Sequence, residues 1–322
     1  MNEPAKPAEK AGLHPRNRHR FAYDFKKLIT ANPDLAPFVS VNKYGTETIS
    51  FHDPKAVLAL NKSLLMSFYG LQSWDIPSQY LCPPVPGRAD YIHYLADLLA
   101  SSNSGKIPLG PSVRVLDIGT GASCIYPIIG QSEYGWRFTG TDIDTKALQS
   151  ATAIVQATPR LKSTVDLRLQ KSRESIFEGI LQKEDAFDFC MCNPPFHSSP
   201  EEARAGTERK WKNLGYGKDQ QNKLNFGGQQ SELWCPGGEE AFVGKMIEES
   251  AACQTSFFWF SCLISKGSHL RYVYRKLKSA GALDVRTLDM AQGQKTSRAV
   301  AWTFLNPSRR TEWRVRHWEN HA

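Results

Sequence analysis

Runs of strand length and strand composition recur along the carboxyl-terminal two-thirds of the chain, at about residues 113–117, 137–142, 164–169, 187–192 and 256–264. They alternate with stretches of helical spacing. That alternation predicts an α/β fold in which parallel strands build a doubly wound sheet. The run Phe187 to Cys192 is apolar apart from Asp188, so its strand is expected to be buried on both faces, with Cys190 and Cys192 packing as small hydrophobes. Two later runs, Asp284 to Met290 and Ala299 to Leu305, supply two more strands.

Before residue 105 the period changes. Val57, Leu58, Leu60, Leu64, Leu65 and Phe68 line one side of a helix predicted over Pro54 to Tyr69, with Asp53 as its N-cap and Pro54 in the first position. A second helix is predicted over Ala89 to Ala100. Between them, Cys82 to Gly87 holds three prolines and is expected to run extended, delivering Arg88 to the edge of the next domain. Ser101-Ser102-Asn103-Ser104-Gly105 reads as a linker. The expected organisation is a disordered tail over 1–12, a small, mainly helical accessory module over 13–104, and the α/β domain over 105–322.

Two motifs fall at the ends of predicted strands. At the first, Asp117-Ile118-Gly119-Thr120-Gly121-Ala122-Ser123 leads into a helix predicted from Cys124 to Gln131. The glycines let backbone approach a ligand closely, and a helix N-terminus favours a negative group. The next strand ends in Asp142, 21 residues past Gly121, a spacing that suits a carboxylate receiving ribose hydroxyls. A dinucleotide fingerprint would need a third glycine at Ala122 or Cys124, and neither position carries one.

The other motif, Asn193-Pro194-Pro195-Phe196, ends the strand at 187–192. Successive prolines have no amide hydrogens, so the carbonyls of Asn193 and Pro194 are free of a sheet ladder. An amide side chain, free carbonyls and an aromatic face suit a planar, conjugated amino group: two acceptors hold its two N–H donors while Phe196 stacks on the attached ring. A plain strand-ending turn is the other reading of these four residues alone.

Composition narrows the partner. Net charge is +8, which favours a polyanion through phosphate contacts. His14, Arg16, Arg18, His19 and Arg20 precede Phe21, Tyr23 and Phe25, an arrangement able to lay cations on phosphates and rings on bases. Seven cysteines lack metal-ligand spacing, so no metal site is expected, and a reducing cytoplasm is the expected compartment. No apolar stretch approaches the length of a membrane span.

The Asp-x-Gly-x-Gly and Asn-Pro-Pro-Phe motifs resemble those of Rossmann-like S-adenosylmethionine-dependent amino-methyltransferases. Leu13-His14-Pro15-Arg16-Asn17-Arg18, Val85 to His93 and Leu116 to Pro127 look like the blocks of the bacterial ribosomal RNA large-subunit methyltransferase F family, shared by animal methyltransferase-like 16 proteins. The resemblance runs from about residue 12 to the C-terminus. It implies N6-methylation of one adenine in 23S ribosomal RNA, offered as RNA or as a large-subunit assembly intermediate, with S-adenosylmethionine as donor. It implies catalytic roles for Asn193, Pro194, Pro195 and Phe196, and cofactor contacts from Arg88, Asp117, Gly119, Thr120, Gly121, Ser123 and Asp142; position after the third strand adds Ser172 as a cofactor contact. It also implies RNA contact through the basic segment (Arg16, Arg18, His19, Arg20), and a closing antiparallel hairpin from the last two strands.

Position alone adds Lys171 and Arg298 as phosphate candidates near the same rim. His197 to Gln230 is polar and long enough to read as a lid or RNA-binding loop. For Arg88, an ion pair with Asp90 or Asp97 is the other reading. Methylation of a glutamine side-chain amide in a protein stays open, because Asn-Pro-Pro turns also suit that nitrogen, as does a catalytically inactive RNA-binding or assembly factor.

Overall fold

In the computed structural model, which describes residues 12–203, 230–292 and 295–319, seven strands form one sheet in the order β5-β4-β3-β6-β7-β9-β8. β3 (Arg114–Ile118), β4 (Arg137–Asp142), β5 (Val165–Leu169), β6 (Phe187–Cys192) and β7 (Phe257–Ile264) are parallel neighbours. β8 (Asp284–Gln292) and β9 (Lys295–Thr303) form the antiparallel hairpin, with β9 against β7. The chain leaves β3 toward β4 on one side and returns to β6 on the other. The carboxyl end of β3 is therefore the switch point of the sheet, where such folds bind ligands.

Period-two alternation assigns the sheet's two faces. Val115, Phe138, Phe189, Met191 and Ala301 enter one apolar cluster, while Leu116, Cys190, Cys192, Val300 and Trp302 enter the other. Polar Asp188 is tolerated inside β6 because three donors meet it: Arg114 N at 2.7 Å, Trp313 Nε1 at 2.8 Å and Trp318 Nε1 at 2.7 Å. Those bonds seat the carboxyl-terminal helix (Pro307–Arg314) and the turn after it on the sheet.

α2 (Pro54–Tyr69) has the expected bounds, and Asp53 caps it by accepting from Lys55 N at 2.9 Å. α3 (Val85–Ser101) starts four residues before its expected beginning, because Pro86 in a first helical turn gives up no needed N–H; the extended segment ends at Pro84. α4 (Ile125–Tyr134) starts one residue late and ends three residues late. Cys124 is left-handed (φ 51°) just before it, and Gly135 (φ 71°) closes it by donating to Gln131 O at 2.9 Å. β9 stops at Thr303 rather than Leu305, since the Thr303 hydroxyl takes the Leu305 N–H out of the ladder. A two-stranded hairpin, β1 (Val39–Val41) with β2 (Glu47–Ile49), is an addition to the expected helical module.

Among the described residues no separate core marks the expected boundary at 105. One cluster runs from α1 (Phe25–Ala31) through Leu64, Leu95 and Ile129 to Phe138 and Phe189 in the sheet. Most of the expected lid, residues 204–229, and all but the last residue of the expected tail over 1–12 lie outside the described residues. No helix among the described residues is long and apolar enough to cross a membrane.

Candidate active site

The glycine turn is held open by its neighbours. Gly119 N and Thr120 N both donate to Thr141 O, at 2.9 and 2.8 Å, which folds the chain over the end of β4. Gly119 (φ 74°) and Gly121 (φ 65°) occupy the left-handed region that glycine alone enters freely, and a β-carbon on Gly119 would meet nothing within 4 Å. Trp74 Nε1 donates to Ser123 O at 2.9 Å, and the Ser150 hydroxyl donates to Ala122 O at 3.0 Å. The turn is thus braced from the amino-terminal segment and from α5 (Thr145–Ala157).

Asp142 stands beside it with both oxygens oriented. Oδ2 accepts from Gly121 N at 3.0 Å and Oδ1 from Asp144 N at 2.9 Å, leaving further lone pairs for an incoming donor. Burial raises its carboxyl above the usual range, against those two bonds. Asp117 is fully buried, and neither of its oxygens has a hydrogen-bond partner among the described residues. Burial first, then the Asp142 charge, pushes its carboxyl up to about 7, against the pull of the nearby Thr120 hydroxyl and Arg88.

At the end of β6, Pro194 is buried and Asn193 half-buried, yet Asn193 Oδ1 lies inside without a hydrogen-bond partner among the described residues. Phe196 is half-buried, so part of its ring remains open. The next residue is clamped: His197 N donates to Leu233 O at 3.0 Å and Cys235 N to His197 O at 3.1 Å. Glu232, just before that clamp, accepts from Leu81 N at 3.2 Å and stands 3.5 Å from where a β-carbon on Gly121 would lie. The short helix Gln230–Leu233 therefore touches the glycine turn and leads directly into the clamp behind the Asn-Pro-Pro-Phe turn.

Arg88, half-buried in the first turn of α3, donates to Tyr126 Oη at 3.0 Å and lies over that ring at 5.6 Å. It pairs with neither Asp90 nor Asp97, whose oxygens face His14, Asn17 and Arg16. Ser172 caps the turn after β5 by accepting from Glu174 N at 3.1 Å, and neighbouring Gln170 N donates to Asp142 O at 2.9 Å. Lys171 is exposed beside it. Arg298, opposite Ile264 in the sheet, pairs with Asp289 at 3.7 Å at the far end of the same rim.

The basic amino-terminal segment needs correction. His19 is fully buried, with Nε2 2.8 Å from Tyr69 Oη and Nδ1 3.1 Å from Tyr23 Oη, so it cannot lie on a phosphate without leaving the core. Arg16 donates to Tyr134 Oη, His93 O and Asp97 Oδ1 at 3.0, 3.0 and 2.7 Å. Arg18 reaches Phe68 O at 2.9 Å and pairs with Glu133, and Arg20 donates to Pro15 O. The segment first serves as a clip across α3 and α4; Arg16 and Arg18 still show 38% and 44% of their side chains to solvent.

Three buried acceptor atoms on one rim, two from Asp117 and one from Asn193, make no geometric hydrogen bond among the described residues, and they fit a ligand rich in donors and positive charge. S-adenosylmethionine, with its ammonium, sulfonium and ribose hydroxyls, has that chemistry. No group of three or more His, Cys, Asp and Glu among the described residues is arranged to hold a metal ion. Trp74, Tyr126 and Glu232 were not evident from local sequence pattern, since each acts on a residue distant in the chain.

A sheet of this order, with a glycine turn and an acid at its switch point and an Asn-Pro-Pro-Phe turn on the neighbouring strand, defines a Rossmann-like S-adenosylmethionine-dependent methyltransferase. The family described as RNA methyltransferase matches residues 7–306, and the chain belongs to it. It is 55% identical over 318 residues to "Ribosomal RNA large subunit methyltransferase F" of Yersinia enterocolitica, covering 98% of this chain and 95% of that one. The protein of the same name from Pseudomonas aeruginosa is 54% identical, covering 95% and 92%. Among solved structures, the catalytic domain of human METTL16 in complex with the MAT2A 3′UTR hairpin 1 superposes with a TM-score of 0.77 at 32% identity, covering 92% of this chain and 96% of that one. The N-terminal domain of human METTL16 in complex with SAH gives 0.71 at 32% identity, covering 91% and 99%. The chain is an RNA methyltransferase of the ribosomal RNA large subunit methyltransferase F family, with S-adenosylmethionine as its cofactor.

Proposed function

We propose that this enzyme methylates the exocyclic N6 of one adenine in 23S ribosomal RNA. The observation that carries the reading is the buried, partnerless Asn193 Oδ1 beside the Pro194 carbonyl, a pair of acceptors suited to the two N–H groups of a conjugated amine. The names of the relatives support ribosomal RNA as the substrate. S-adenosylmethionine supplies an electrophilic methyl group on a sulfonium when bound.

In this reading Asp142 receives the ribose hydroxyls, Arg88 the cofactor carboxylate and Asp117 its ammonium, with the glycine turn and Ser123 against the nucleoside and Ser172 at the edge. An adenine amino lone pair is delocalised into its ring and is a poor nucleophile. Hydrogen bonds from both N–H groups to Asn193 Oδ1 and Pro194 O localise that lone pair. As positive charge develops on the nitrogen, the same acceptors stabilise it more than they do the ground state. Pro195 fixes the turn that points them outward, and Phe196 stacks on a base taken out of its helical context. Arg16, Arg18, Arg20, Lys171 and Arg298 contact backbone phosphates, while His19 supports the arm from within.

The test is to incubate the protein with methyl-labelled S-adenosylmethionine and, separately, protein-free ribosomal RNA, ribosomal subunits and a cell protein extract. Label is expected in N6-methyladenosine from one site of the large-subunit RNA. Label in protein glutamine with none in RNA would overturn the reading.

A further inference from the structure

On the sheet edge opposite the methyl-transfer rim lies a cavity of about 450 Å³, lined by Ser102, Trp259, Asp284, Arg286, Arg310 and Arg314 among others. Trp259 sits near the start of β7, Asp284 opens β8, and Ser102 follows α3, so the cavity is at the amino ends of the parallel strands. Two guanidinium groups, of Arg286 and Arg310, share the Asp284 carboxylate there, and a third, of Arg314, lies alongside. Asp284 Oδ1 accepts from Arg286 Nε at 2.9 Å, and Oδ2 accepts from Arg286 Nη2 at 3.2 Å and Arg310 Nη1 at 2.9 Å. Arg314 reaches only Ser102 O at 3.4 Å and Glu319 at 3.5 Å, the latter a long pair on the exposed side.

Arg310 is fixed from two directions: its Nε donates to Leu305 O at 2.9 Å and its guanidinium lies over the Trp259 ring at 5.2 Å. Donors are left over. Arg310 Nη2, Arg286 Nη1 and Arg314 Nε make no hydrogen bond among the described residues. Asp284 and Glu319 together leave one of the three positive charges unbalanced, and forked guanidiniums around a cavity favour a multi-oxygen anion over chloride.

We propose that this cavity binds phosphate groups, as a second anion site of the enzyme remote from methyl transfer. The phosphates come either from the backbone of the RNA or from a free phosphate compound, since both present the same oxygens.

The full chain is titrated calorimetrically at constant ionic strength with inorganic diphosphate and, separately, with a short large-subunit RNA segment. Wild type and the double variant Arg286→Gln/Arg314→Gln are compared, with S-adenosylmethionine affinity as the check that the variant is folded. Saturable binding weakened about tenfold or more in the variant is expected, with partial recovery when Arg286→Lys replaces Arg286→Gln. A loss that includes RNA assigns the site to RNA backbone, and a loss confined to diphosphate assigns it to a free phosphate compound. If neither probe binds more weakly to the variant than to wild type, the proposal fails.

Discussion

Trp74 and Ser123 join the amino-terminal part of the chain to the glycine turn after β3: the indole N–H donates to the Ser123 carbonyl at 2.9 Å, with Trp74 fully buried. Trp74→Phe removes the donor and, being smaller, also leaves a small void in the core. A buried carbonyl without a partner costs about 1–3 kcal/mol. Urea unfolding should show that loss, and calorimetry should show S-adenosylmethionine binding several-fold more weakly. An unchanged cofactor affinity would mean the turn holds its shape without the brace.

Asp117 predicts a proton linkage. Its carboxyl, pushed up to about 7 by burial, is largely protonated below that pH in the free protein, and a cationic ligand needs it ionised. Cofactor binding below pH 7 should therefore release a proton, and affinity should rise with pH up to about 7 and then level. The sign for folding is the reverse of the usual carboxylate case: this group's contribution to stability falls as pH rises from 3.8, its ordinary value, toward 7. Titrations in buffers of different ionisation enthalpy count the proton, and Asp117→Asn should abolish its release.

If Asn193 acts as proposed, Asn193→Ala should lower methyl transfer by on the order of 10² or more, because one of two acceptors for the developing charge would be gone. RNA and cofactor affinities should stay within a few-fold. Single-turnover rates alongside binding isotherms separate the two effects. RNA binding lost in parallel with activity would refute that division of roles.

Gly130 in α4 is a packing glycine. A β-carbon there would lie 2.3 Å from Phe138 Cζ and 2.7 Å from Cε2, inside the core. Gly130→Ala should cost about 1–3 kcal/mol through overpacking. Pairing it with Phe138→Leu should recover part of that loss, because the clashing ring is gone, and a double-mutant cycle by denaturant unfolding measures the coupling.

The parallel strands and the two motifs at their ends were legible because backbone period and turn chemistry are local properties: β4 and β6 have the bounds expected from the residues alone. The cap of α2 was equally local. His19 was not legible. A histidine among arginines and aromatics looks the same whether those rings face RNA or each other, and only the position of Tyr69, 50 residues on, decides it. Glu232 was hidden for a related reason, since its partners Leu81 and Gly121 lie more than a hundred residues earlier in the chain.

The continuous core across the linker has an evolutionary consequence. Ile92 of α3 stands 3.4 Å from where a β-carbon on Gly130 would lie, and Gly130 in turn faces Phe138 in the sheet. A change of volume at any of the three is felt by the other two. The amino-terminal part is therefore expected to change together with the sheet it packs on, in compensated sets. Grafting it onto the sheet of a distant methyltransferase would carry half of a jigsaw, so a new RNA target is reached more readily by altering exposed loops than by exchanging this part.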